Sequence, residues 1–412
     1  MRLLPTPLLL TLLPTLTLAH SSPDTLDKRV TYKCKETTDC SKVGYQIPSH
    51  SHFRCEKAKG TCTFGCNSGY STSSSGTSCV KAASSTTKPA SPTSSFRPAG
   101  PTQPAVTPKL RKTYSGASFF DSWTFWTASD PTHGLISYLS RADAVANKLV
   151  SVSKSGTAVI SIDRTSRLSE GQSRKSVRIS SMDVYQPGNL VIVDLKHVPV
   201  GCSTWPAFWM YNYPWPQSGE IDIYEGVNSR TFNSMTLHTA AGCTRNPSTP
   251  MTGSVDGADS NCNAGNGNTG CGVMDMDPKS YGAGFNAAGG GVFAVLFAET
   301  GISIWRFTRS SIPSDIKAGA PRWKTWGTPV AAWDGATCDT RTYFKNQMLT
   351  FVSRRVGSST CGDWAGQQAV FTSPSLSGAC YPKYASCAAA NADPDAFKEA
   401  YFEVNYVKVF SV

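Results

Sequence analysis

Long apolar runs are almost missing from this 412-residue chain. Only Leu3 to Leu18 is apolar over any length, and Pro5, Pro7 and Pro14 interrupt it. A helix needs about 20 apolar residues to cross a bilayer, so no membrane insertion is expected. Charge is scarce, at 16% of residues. The net charge is +11, yet Lys and Arg form no block interleaved with aromatics. A diffuse excess of this kind favours solubility and weak attraction to acidic surfaces over nucleic-acid readout. Cysteine and histidine never take the paired short spacing of a zinc site. No internal repeat stands out, which argues against a propeller. Convincing long helical periodicity is lacking, and so is any Asn-x-Ser/Thr glycosylation signal.

What is present divides the chain. Met1-Arg2, the apolar stretch after it and the small residues around Ala19 read as a secretory signal peptide over residues 1–19. Lys28-Arg29 then offers a dibasic processing site. Fourteen cysteines suit an oxidising compartment, and the protein is expected to be secreted, extracellular or associated with a cell wall. Six of them crowd residues 30–81, a Cys-rich module with too few large apolar residues to fold without staples. Residues 82–111 are rich in Ser, Thr and Pro and read as an extended linker. The other eight cysteines come after it, so each group is even and can pair internally, in connectivities that spacing does not assign.

From residue 112 to 412 short apolar or alternating runs recur between Gly, Asn, Pro and Ser clusters. Ala158–Ile162, Leu190–Asp194, Met235–His238, Val292–Ala298 and Tyr401–Phe410 are examples. Many short strands over about 300 residues predict an all-β sandwich or barrel.

One strand candidate, "GEIDIYEG", holds three carboxylates, Glu220, Asp222 and Glu225. Glu220 and Asp222 are two apart and share a face of a strand, with Cα atoms ~6.6 Å apart. Glu225 is five from Glu220 and points the other way unless one extra residue is absorbed. A β-bulge absorbs one and re-aims the residues beyond it; Tyr224 is the expected extra residue. A cluster of this kind can act as a pair of glycosidase carboxylates or as oxygen ligands for Ca²⁺. Just before it lies "TWPAFWMYNYPWP", whose rings are candidate platforms for the apolar faces of sugars.

"GEIDIYEG" resembles the E-x-D-x-x-E signature of glycoside hydrolase family 16. "WPAFW" before it and "MTLHTAAGC" after it are similar to the fungal endo-β-1,3(4)-glucanases, or laminarinases, of that family. "FFDSWTFWTASDPTHG", "GISIWRFTRSSIPSDI", "CGDWAG" and "YFEVNYVKVF" match further blocks in the same order. The resemblance covers roughly 112–412 and leaves out 30–81. It implies a curved two-sheet jelly roll with an open cleft and a β-glucan substrate. It implies Glu220 as nucleophile, Glu225 as general acid/base and Asp222 as the residue that orients the nucleophile. Trp215 is implied as a sugar platform and His238 as a cleft residue. Trp209, Trp205 and Asn228 complete the expected substrate contacts. Neither a metal nor a cofactor is implied; a structural Ca²⁺ has no clear sequence support. A monomer is expected. Negative charge on Glu220 and Asp222 is expected to keep the proton on Glu225, since like charges disfavour ionisation. Two alternatives accompany this reading. A cell-wall glucan transglycosylase would pass the same intermediate to a sugar hydroxyl, and the family's transglycosylases usually carry the shorter E-x-D-x-E. A non-catalytic β-glucan-binding protein would have lost catalytic acids, and both glutamates are present.

Overall fold

The computed structural model describes residues 107–255, 260–265, 269–353 and 362–412, with the backbone of four short strands nearer the N-terminus. The expected signal peptide, Lys28-Arg29, the linker up to residue 106 and Cys361 lie outside the described residues. The chain divides into two units, Met1–Gly100 and Pro101–Val412. In the first, Ser51–Glu56 pairs antiparallel with Thr61–Cys66, and Tyr70–Thr72 with Cys79–Lys81.

The second unit is built on two eight-stranded sheets. Its first strand, Lys109–Tyr114, pairs with the long C-terminal strand Tyr401–Ser411. The sandwich therefore begins inside the segment read as linker: Leu110 lies opposite Phe410 in that pairing, and the polar composition around it hides the strand. One sheet runs Ser254–Val255, Cys271–Asp275, Asn233–His238, Glu220–Glu225, Ala207–Tyr211, Gln347–Val352, Arg178–Tyr185, Trp123–Phe125. The other places Asn189–His197 between Gly291–Ala298 and Tyr401–Ser411. Neighbouring strands in both sheets are antiparallel.

Alternation along the strands makes the layer between the sheets. Phe208, Met210, Ile221, Ile223, Met235, Leu237, Leu349 and Phe351 from the first sheet join Val191, Val193, Leu195, Phe293, Val295, Val404 and Val407 from the second in one buried cluster. Each such side chain contributes roughly 1.5–3 kcal/mol on burial. Asn189–His197 is apolar on its other face as well. Leu190 and Ile192 pack under Trp305, Ile312 and Ile316, which explains its nearly unbroken apolar run. The opposite face of the first sheet carries Ala207, Trp209 and Tyr211. Part of that face is covered by Phe371, Tyr384, Cys387 and Phe397, and the rest is the floor of a cleft.

Six of the eight cysteines after the linker pair as Cys202–Cys380, Cys243–Cys338 and Cys262–Cys271. Cys202–Cys380 closes a separation of 178 residues and ties the C-terminal cover to the loop before the tryptophan-bearing strand Ala207–Tyr211. Among the described residues no helix is long and apolar enough to cross a membrane.

Candidate active site

The cleft has a volume of about 930 Å³ and is lined by Glu220, Glu225, Trp205, Trp215, His238 and Arg178, among others. The strand Glu220–Glu225 crosses its floor with every residue buried. Against Ala207–Tyr211 it pairs Tyr211 with Glu220 and Ala207 with Glu225, so six residues face five. Against Asn233–His238 it pairs Glu220 with His238 and Glu225 with Ser234. Both neighbours therefore place one extra residue between the two glutamates, which is a β-bulge. Tyr224 keeps its register with Phe208 and Asp222 keeps its own with Trp209. The unpaired residue is Ile223, not Tyr224 as the spacing suggested. Ile221, Ile223 and Tyr224 all join the core. Two consecutive residues thus turn inward, and Glu225 returns to the cleft face.

Tyr224 anchors this turn. Its ring stacks on Tyr281 at 5.0 Å and meets Phe285, Phe293 and Phe402 edge-on or tilted. Gly226, two residues on, has no side chain because a Cβ there would lie 2.6 Å from the Tyr281 ring.

Each glutamate receives an indole N–H. Trp215 Nε1 donates to Glu220 Oε2 at 2.6 Å, and Trp205 Nε1 donates to Glu225 Oε1 at 2.8 Å. Trp215 is still 44% exposed, so it offers the cleft a ring face as well. Trp205 is only 8% exposed and packs edge-on against Trp364. Trp209 is buried, stacked on Tyr211 at 4.2 Å, with part of its surface on the cleft.

Asp222 is 1% exposed. His238 Nε2 lies 3.2 Å from Asp222 Oδ2. Burial, and after it the negative charges of Glu220 and Glu225, pushes the Asp222 carboxyl well above the usual range. Burial by itself would lower the His238 imidazole, but the hydrogen bond to Asp222 and the three surrounding acids outweigh it and raise it to about 9. The neighbouring acids raise both groups, while burial, the larger cause at Asp222, adds to the shift there and opposes it at His238. Ligand-type atoms of Glu220, Asp222 and His238 lie within 4.8 Å of one another. Within that cluster His238 Nε2 faces Asp222 and the Trp215 indole donates to Glu220.

Asn228 does not line the cleft. It is fully buried with φ of 54°, and its amide accepts from Ser203 N and donates to Ala365 O. Its polarity serves the loop beneath the site. Arg178, by contrast, escaped the sequence reading. The signal was a charge between two apolar residues, Val177 and Ile179, both buried, at the start of the strand Arg178–Tyr185. Its guanidinium carbon sits 4.8 to 5.1 Å from the ring centres of Trp126, Trp209 and Tyr211. The side chain is 1% exposed, and Nε and Nη1 have no hydrogen-bond partner. Tyr213, half exposed, stacks over Trp126 at 6.4 Å on the same side.

A family model described as XgeA-like, catalytic GH16 domain matches residues 123–410. The chain belongs to glycoside hydrolase family 16. A protein of Aspergillus clavatus named probable endo-1,3(4)-beta-glucanase is 39% identical over 306 residues, 74% of this chain and 46% of its own length. A probable glycosidase of Schizosaccharomyces pombe is 39% identical over 75% of this chain and 71% of its own. The chain spans less than half the length of the Aspergillus relatives. Among solved structures, family 16 laminarinase 16A from Phanerochaete chrysosporium, holding 6-O-glucosyl-laminaritriose in donor and acceptor sites, is 37% identical with a TM-score of 0.67. An elongating family 16 beta-1,3-glucosyltransferase is 38% identical with a TM-score of 0.66. Each alignment covers 74% of this chain and all of the other. The family 16 sandwich thus accounts for the second unit, cleft included.

Proposed function

We propose that this chain is a secreted, retaining endo-β-glucanase that hydrolyses β-1,3- or mixed β-1,3/1,4-glucans. The observation that carries the reading is the pair of buried glutamates, both on the cleft side of one bulged strand and each gripped through one oxygen by an indole N–H. Glu220 is the nucleophile. Trp215 engages Oε2, so Oε1 attacks the anomeric carbon, and the C–O bond to the leaving sugar breaks as the ester bond forms. Glu225 is the acid. Trp205 engages Oε1 as an acceptor, so the proton sits on Oε2 and passes to the departing glycosidic oxygen. Glu225, now a carboxylate, takes a proton from water, whose oxygen attacks the anomeric carbon and releases Glu220. Asp222 lies beside Glu220 on the same face of the strand and opposite His238 Nε2, at 3.2 Å, and orients the nucleophile. Once Glu220 is an ester its charge is gone, and the potential around Glu225 shifts toward ionisation.

Trp215, Tyr213 and the surface of Trp209 that meets the cleft supply faces for the apolar sides of glucose rings. Arg178 supplies donors for their hydroxyls. Trp205 belongs with the catalytic carboxyl and not with the platforms. A polymeric substrate fits a cleft of about 930 Å³ whose lining comes from several strands of one sheet. The three disulfides and the relatives' names support an extracellular setting, and the apolar leader fits secretion.

Transglycosylation is the second reading, favoured by the glucosyltransferase at 38% identity. A product profile on laminarin, lichenan and a xylan control, with and without added oligosaccharide acceptor, tests both. Short products from laminarin or lichenan, insensitive to acceptor, support hydrolysis. Products longer than the donor establish transfer, and activity confined to xylan overturns the substrate.

A further inference from the structure

We propose that Asn233 is a positioning residue for Glu225, locking the bulge of the acidic strand in the one conformation that aims this carboxyl into the cleft. The proposal rests on the reading of Glu225 as acid/base. A bulge takes backbone groups out of the ladder, and buried backbone groups need partners. Between Ile221 and Glu225 the pairing with Asn233–His238 is interrupted. The Asn233 side chain fills the interruption. Its Oδ1 accepts from Glu225 N at 2.9 Å, and its Nδ2 donates to Ile223 O at 2.9 Å. The two partners fix which end of the amide is which, since an N–H only donates and a carbonyl only accepts. One planar group thus ties the peptide units on both sides of Tyr224.

No other residue type does both at this reach. Asp lacks the donor, Leu lacks donor and acceptor, and Gln is one methylene longer. Asn233 is fully buried and does not line the cleft, so it acts only through Glu225. It is itself held from behind. Its backbone N donates to Ser280 Oγ at 2.9 Å, and Ser280 Oγ donates to Asp275 O at 2.7 Å. The next residue, Tyr281, stacks on Tyr224, and the Gly282 amide reaches the Tyr224 hydroxyl. One turn, Ser280 to Gly282, therefore grips the bulge from its core side through Tyr224 and from its edge through Asn233.

The test compares laminarin, whose leaving sugar needs a proton, with 2,4-dinitrophenyl β-laminaribioside, whose leaving group does not. In Asn233→Ala, kcat/KM on laminarin is expected to fall about 10²-fold, the loss a misplacement of ~1 Å produces. Nearly all of the fall lies in kcat, and kcat/KM on the aryl glycoside falls less than about fivefold. Asn233→Asp is isosteric and keeps the acceptor for the Glu225 amide, so an assayable variant exists even where Asn233→Ala unfolds. It shows the same split to a smaller degree. Equal losses on both substrates, or wild-type activity on laminarin in both variants, overturn the proposal. Glu225→Ala is run beside them. If it loses both substrates alike, the reading of Glu225 fails. If it is selective and the Asn233 variants are not, only the role of Asn233 fails.

Discussion

His238→Gln is expected to flatten the alkaline decline of stability. The imidazole moves from its ordinary 6.5 to about 9 on folding. A group that binds its proton more tightly when folded stabilises the protein below its unfolded value and loses that contribution as pH rises through the folded value. The window is therefore pH 6.5 to 9. A shift of that size corresponds to about 3 kcal/mol, and screening of a ring 19% exposed reduces it to roughly 2 kcal/mol. Glutamine preserves a donor toward Asp222 but carries no charge at any pH. The Asp222 carboxyl titrates in the same direction, since it too is raised, and it stays in both proteins. The difference between wild type and His238→Gln thus reports the histidine together with its coupling to Asp222. Thermal unfolding measured at half-unit steps from pH 6 to 9.5 reads it directly. The wild-type advantage is expected to be greatest near pH 6 and to shrink by roughly 4 °C in Tm by pH 9.5, at about 2 °C per kcal/mol for a domain of this size. Parallel curves for the two proteins over the whole range would refute the account of His238 as a cation held by the three acids.

Glu220→Ala is expected to abolish hydrolysis while leaving the fold intact, and azide to restore turnover with an inverted glycosyl azide. Near-wild-type turnover, read as reducing sugar from laminarin, removes Glu220 from the nucleophile role. Trp215→Phe keeps a ring at the cleft but drops the N–H held by Glu220. A hydrogen bond to a charged group is worth about 1.5–3 kcal/mol, so kcat falls roughly ten- to a hundredfold with KM little changed. An unchanged kcat would mean the bond does not orient the nucleophile. Arg178→Met keeps contact with the three rings and removes the unpaired donors; KM for laminarin rises about tenfold, as expected for about 1.4 kcal/mol of lost binding, and kcat stays close to wild type. A loss confined to kcat would place Arg178 with the reacting groups instead.

Much of the site was legible because strand geometry is periodic. Two carboxylates at even spacing must share a face, and a third at odd spacing can join them only through a bulge. The spacing left open which residue bulges. Ile223 and Tyr224 are both apolar and both fit the core, so only the registers against Phe208, Trp209, Leu237 and Ser234 decide it. Tryptophans before an acidic strand read as sugar platforms, yet Trp205 is turned edge-on to Glu225. Nothing in the order of residues reports the direction of an indole N–H. Asn228 misled for a related reason. A polar residue just past the signature looks like a ligand contact until a left-handed backbone turns it under the floor.

By itself, then, the sequence determined the β-sandwich class, the three acids on one strand and the need for an irregularity between them. These depend on composition and on offsets of two along a strand, which are local. Only the tertiary structure decided which indole holds which carboxylate, that Arg178 enters the cleft with donors unpaired, and that Asn233 and the turn at Ser280 hold the bulge from outside its own strand. Those are contacts between residues up to 58 positions apart, as from Gly282 back to Tyr224. They form only when two sheets close on one core and leave a few polar groups with no partner but each other.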